Sequence, residues 1–142
     1  MNRRLLTLGI LSLLIIMAAC GSAPTDSPPP QPAEIDVSSL SVDLDASEVD
    51  SLRENPNVVL IDVREQYEYD EGHIPGVTLI PLGTIPNRLD EIPTDKEVIF
   101  LCRSGNRSNQ ATQFLQQQGF DNIHNMLGGM NAWGEAGYDT ER

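Results

Sequence analysis

The sequence predicts an α/β domain built on a mostly parallel sheet with helices on both faces. Three observations carry that prediction. Short apolar runs rich in β-branched residues recur through the chain, as in Val58–Val63 and Val98–Leu101. Those runs are apolar at nearly every position rather than at alternate ones, the pattern of strands buried on both faces. Segments with helical spacing or helix-capping signals alternate with them, which is the order of βα units. The chain has 142 residues and two cysteines, enough for one domain and too few cysteines for a disulfide scaffold.

The elements follow in chain order. Asp45-Ala46-Ser47-Glu48 sets an N-cap acid three residues before a glutamate, the capping-box spacing, and Val49 and Leu52 supply an apolar face. Asn55-Pro56-Asn57 ends that helix, and Val58–Val63 is a buried strand. The polar stretch Arg64–Glu71 holds a helical turn before Gly72, Val77–Ile80 is a second strand, and Ile85–Ile92 a short helix stopped by Pro93. Val98–Leu101 is the third strand and ends at Cys102. From Asn106 to Gln118, Ala111, Phe114 and Leu115 form an apolar stripe, and Gly119 sits where a C-cap glycine belongs. Ile123–Leu127 is a fourth strand, and Gly128-Gly129 leads into a last helix around Ala132-Trp133.

The N-terminal segment reads differently. Arg3 and Arg4 precede fifteen nearly all apolar residues, Leu5–Ala19, too few to span a bilayer and of the right length for a signal-peptide core. Ala18-Ala19-Cys20 resembles the lipobox of bacterial lipoproteins, with Met17 where that motif usually has Leu. Residues 1–19 are thus expected to be a lipoprotein signal peptide and Cys20 the lipidated first mature residue. Acylation would hold the protein on a membrane of the bacterial cell envelope, at the periplasmic or outer face. Residues 20–36 contain five of the ten prolines among small polar residues and are expected to be a solvated tether. The domain is expected over 37–142.

The formal charge is −12, and removing residues 1–19 makes it −14. A surface so acidic excludes nucleic-acid binding through a basic face. Against that background, no Asp or Glu occurs from Val98 to Phe120, where the chain average predicts about four. This window holds Cys102-Arg103-Ser104-Gly105-Asn106-Arg107 between a strand and a helix. A lone cysteine is ordinarily a small buried hydrophobe; three features of this loop argue for a reactive thiolate instead. The helix presents unsatisfied N–H groups to it, Gly105 lets the backbone curl into a nest, and Arg103 and Arg107 add fixed positive charge. No metal or cofactor site is expected, because His73 and His124 lack partners at ligand spacing.

Three blocks then resemble the rhodanese family of sulfurtransferases: Asp62-Val63-Arg64 with Glu68-Tyr69 and Gly72-His73-Ile74-Pro75-Gly76; the loop Cys102–Ser108; and Leu127-Gly128-Gly129-Met130 with Ala132-Trp133. Val77 departs from the alanine common in the family. The resemblance implies a single rhodanese-like domain in which Cys102 takes sulfane sulfur as a persulfide and passes it on. The donor would be a small anion such as thiosulfate, and the acceptor cyanide or a thiol, including a protein thiol. Arg103, Ser104, Gly105, Asn106 and Arg107 would bind substrate. Asp62, Arg64, His73 and Ser108 would support the site, Ser108 as a helix cap. The persulfide step abstracts no proton from an alcohol, so His73 is read as scaffold rather than general base. Two other readings share these residues. A sulfur carrier without turnover needs the same loop, and related Cys-based phosphatases and arsenate reductases use Cys-x5-Arg, whereas this loop is the tighter Cys-x4-Arg.

Overall fold

The computed structural model describes residues 36–142. The expected signal peptide (1–19), the expected lipidation site Cys20 and nearly all of the expected tether (20–36) lie outside the described residues. The strands are β1 (Asp43–Leu44), β2 (Val58–Asp62), β3 (Thr78–Leu79), β4 (Glu97–Leu101) and β5 (Ile123–Met126). They form one sheet in the order β1-β5-β4-β2-β3, and every neighbouring pair is parallel. The helices are α1 (Ala46–Leu52), α2 (Gln66–Glu71), α3 (Asn106–Gln117) and α4 (Gly129–Glu135).

Alternation along the strands divides the core in two. Val58 and Leu60 of β2 and Ile99 and Leu101 of β4 face one side, where Val49 and Leu52 of α1 and Trp133 of α4 cover them. Ile61 of β2 and Val98 and Phe100 of β4 face the other, under Ala111 and Leu115 of α3. Both faces of each central strand are therefore buried, which accounts for their unbroken apolar sequence. Cys102 continues the β4 alternation and joins the α3 side.

Three details differ from the sequence reading. β1 was not expected; it is two residues long and exists through pairing with β5, in register Asp43 with Asn125 and Leu44 with Met126. The stretch expected as a helix over Ile85–Ile92 forms two 3-10 segments, Leu82–Asn87 and Leu89–Glu91. Pro86 inside the first removes a donor that an α-helical ladder needs. The strand expected over Val77–Ile80 shortens to Thr78–Leu79. The capping box at α1 forms as read: Asp45 Oδ1 accepts from the Glu48 N–H at 2.9 Å, and Glu48 Oε2 accepts from the Asp45 N–H at 2.8 Å.

Candidate active site

The chain leaves β2 through α2, which packs Tyr69 on one face of the sheet, and leaves β4 through α3 on the opposite face. Adjacent parallel strands whose connections diverge this way open a crevice at their carboxyl ends. Cys102 is at that place.

The residue is 1% exposed, so by area alone it belongs to the core. Its polar surroundings do not. The Gly105 N–H donates to Sγ at 3.2 Å, and Ser108 Oγ lies 3.5 Å from it. Burial pushes the thiol pKa up, but the Ser108 hydroxyl and the N–H groups of Ser108, Ser104 and Arg107 together pull it below the ordinary value. Hydrogen-bond donors thus outweigh desolvation, and the ionised sulfur is the form they favour.

The loop holds this shape because its carbonyls are occupied elsewhere. The Met130 N–H donates to Cys102 O at 2.8 Å and the Asn131 N–H to Arg103 O at 3.0 Å. The first turn of α4 so turns the loop carbonyls away from the sulfur and leaves the amides facing it. This approach requires glycine: a Cβ at Gly129 would stand 2.1 Å from Cys102 O, and the residue has φ +54°. Gly105, with φ +87°, begins α3 without a side-chain cap, and α3 carries no acid in its first turn. Ser108 Oγ also lies 3.1 Å from Gly105 O, which ties the loop to the helix.

The expected supporting residues form a second cluster. Asp62 is fully buried and takes Arg64 Nε at 2.8 Å and Nη2 at 2.7 Å. Arg64 then reaches Gly72 O at 2.8 Å, which fastens the far end of α2. The His73 ring stacks on Tyr69 with centroids 3.7 Å apart. Its Nδ1 lies 3.0 Å from Tyr69 O and its Nε2 3.5 Å from Glu141.

Arg103, Ser104 and Asn106 are exposed around the sulfur, and Gly105 is buried. Arg107 was expected to bind substrate. In the structure its guanidinium is held by Glu68, with Nη1 to Oε2 at 2.6 Å and Nη2 to Oε1 at 2.7 Å. That pairing brings the Glu68 carboxyl down to about 2, chiefly through the Arg107 hydrogen bonds. Glu68 and Arg107 are far apart in the chain, so no local spacing marks them as partners. The contact of α4 with the loop was likewise unexpected, although the Gly128-Gly129 block marks its position. Among the described residues, no cluster of His, Cys, Asp and Glu could hold a metal ion.

A cysteine at the end of a central parallel strand, with amide and hydroxyl donors on its sulfur, marks the site of this α/β domain. Known proteins narrow its class. The family model described as "Rhodanese-like domain" matches residues 45–136. A sulfurtransferase of Allochromatium vinosum is 40% identical over 104 residues, covering 73% of this chain and 90% of its own length. The thiosulfate sulfurtransferase GlpE of Pseudoalteromonas translucida is 36% identical over 90 residues, covering 63% of this chain and 85% of its own. Among solved structures, a rhodanese-related protein of Thermoplasma volcanium aligns with a TM-score of 0.66 and 30% identity over 71% of this chain and 98% of that one. The chain belongs to the rhodanese-like domain family, within the sulfurtransferase group of relatives.

Proposed function

We propose that the protein transfers sulfane sulfur from an anionic donor such as thiosulfate to cyanide or a thiol, through a persulfide on Cys102. The Cys102 thiolate attacks the outer sulfur of thiosulfate. A sulfur–sulfur bond forms to Cys102 while the bond to the sulfonate sulfur breaks, and sulfite leaves with that electron pair. The acceptor then attacks the outer persulfide sulfur, and Cys102 departs again as a thiolate. Each half-reaction conserves charge and needs no external oxidant, and the two together give ping-pong kinetics. The loop amides stabilise negative charge on the thiolate and on the persulfide, as an oxyanion hole does for a developing oxyanion. Arg103 and the loop residues Ser104, Gly105 and Asn106 receive the donor. Burial of the sulfur favours a donor that presents a narrow terminal sulfur.

The observation that carries this reading is the Gly105 N–H on Cys102 Sγ at 3.2 Å, within a ring of amides turned inward. Intact-mass analysis after thiosulfate treatment tests it. The wild type is expected to gain one sulfur atom and Cys102→Ser to gain none; equal gain in both overturns the assignment. A steady-state assay with thiosulfate and cyanide then separates turnover from a carrier that loads once and stops.

We further propose that the domain is tethered in the cell envelope through acylated Cys20. The support is the sequence Arg3-Arg4, Leu5–Ala19, Cys20. Fatty-acid labelling of wild type but not of Cys20→Ala is the expected result.

A further inference from the structure

The arginines of the β2 and β4 connections, Arg64, Arg103 and Arg107, are unevenly paired. Asp62 and Arg64 neutralise each other within one turn of chain, both buried. Glu68 of α2 and Arg107 of α3 neutralise each other across the crevice through two hydrogen bonds of 2.6 and 2.7 Å. The Glu68 side chain is 9% exposed and that of Arg107 is 30% exposed, so this pair is largely shielded from water. Arg103 is exposed and takes part in no ion pair among the described residues. Glu68 is itself held in place: its Oε2 also accepts from the Glu65 N–H at 3.2 Å at the start of α2.

We propose that Glu68 is a positioning residue that sets the charge selectivity of the Cys102 site. By holding Arg107 across the crevice, it leaves Arg103 as the one arginine of the Cys102 loop with no ion pair among the described residues. A doubly charged donor such as thiosulfate is then met chiefly by Arg103 and the loop amides, and the Glu68–Arg107 pair moderates how strongly the donor's charge is felt. This deepens the sulfur-transfer reading and rests on it for the identity of the substrate. The electrostatic assignment stands on geometry: Arg107 lies in the first turn of α3, directly after the Cys102 loop, and its Nη1 and Nη2 both lie on the Glu68 carboxylate.

Alkylation of Cys102 in the full chain by iodoacetate, an anion, and iodoacetamide, its neutral counterpart, tests the assignment without any sulfur chemistry. The readout is the ratio of the two rates, resolved at the Cys102 peptide by mass spectrometry. Glu68→Gln frees the Arg107 charge and is expected to raise the ratio about three- to tenfold at low salt. Arg107→Gln leaves Glu68 unpaired and is expected to lower it by a similar factor. The double variant should return to within about twofold of wild type, and all differences should shrink in high salt. An unchanged ratio in Glu68→Gln, or a double variant that stays with either single one, overturns the proposal. Should Glu68→Gln fail to fold, Arg103→Gln at its exposed position must lower the ratio, and no change there overturns the proposal equally. In the sulfur assay, Glu68→Gln is expected to lower KM for thiosulfate with little change in kcat. If the alkylation ratios follow the prediction while no variant takes sulfur from thiosulfate, the donor assignment fails and the charge assignment holds.

Discussion

Two neighbouring turns do the same topological job with opposite chemistry. β2 and β4 lie side by side in parallel, and each hands the chain to a helix at its carboxyl end. After β2, carboxylates occupy the free backbone donors: Asp62 Oδ1 accepts from the Arg64 N–H at 2.9 Å, and Glu68 Oε2 from the Glu65 N–H. After β4 there is no carboxylate, the helix starts on a glycine, and the amides converge on a sulfur atom. A strand-to-helix turn must satisfy its orphan N–H groups somehow. When its own side chains do so the turn is scaffold, and when they do not it can hold a foreign anion. The acid-free window of the sequence is this difference written in composition.

The largest effect should come from breaking the scaffold turn. Asp62→Ala leaves Arg64 buried without its counter-charge, a change expected to cost about 3–5 kcal/mol. Thermal or denaturant unfolding should show it, and a loss under about 1 kcal/mol would mean that water already solvates Arg64. Making the reactive turn resemble its neighbour should have a smaller and different effect. Asn106→Asp places a carboxylate at the exposed start of α3, where it is favourable for the helix but repels both thiolate and donor. Thiosulfate loading should slow about tenfold while the melting temperature stays level or rises. Slower loading with a lower melting temperature would mean simple loss of structure. The smallest change is Ser108→Ala, which removes one of several donors to the sulfur. Alkylation of Cys102 by a neutral reagent rises with pH as the thiol ionises, and in wild type its midpoint should fall below that of an ordinary thiol. The variant's midpoint should move up by about one pH unit or less. A midpoint that does not move would leave the backbone amides as the sole cause.

Much of this is legible in the sequence. The doubly buried strands announce themselves through unbroken β-branched runs, α1 through its capping box, and the nucleophile through an acid-free loop with a glycine between two arginines. What escaped depends on distance along the chain. β1 is two residues whose conformation follows from Asn125 and Met126 opposite them, so no local period exists to detect. The contact of Glu68 with Arg107 joins two elements that the topology alone brings together. The 3-10 geometry near Pro86 is a matter of backbone fit that apolar spacing does not distinguish from an α-helix. The 1% exposure of Cys102 follows from its register on β4, and the amides around it follow from α4, so burial and reactivity come from different parts of the sequence.

The grip of Met130 and Asn131 on the carbonyls of Cys102 and Arg103 has a consequence for how the reactive state arises. The peptide planes beside the nucleophile are set by residues made more than twenty positions later in synthesis. A chain that stops before Gly129 lacks both of these contacts on the loop carbonyls. The reactive arrangement of the loop therefore depends on a part of the chain remote in sequence from the cysteine itself.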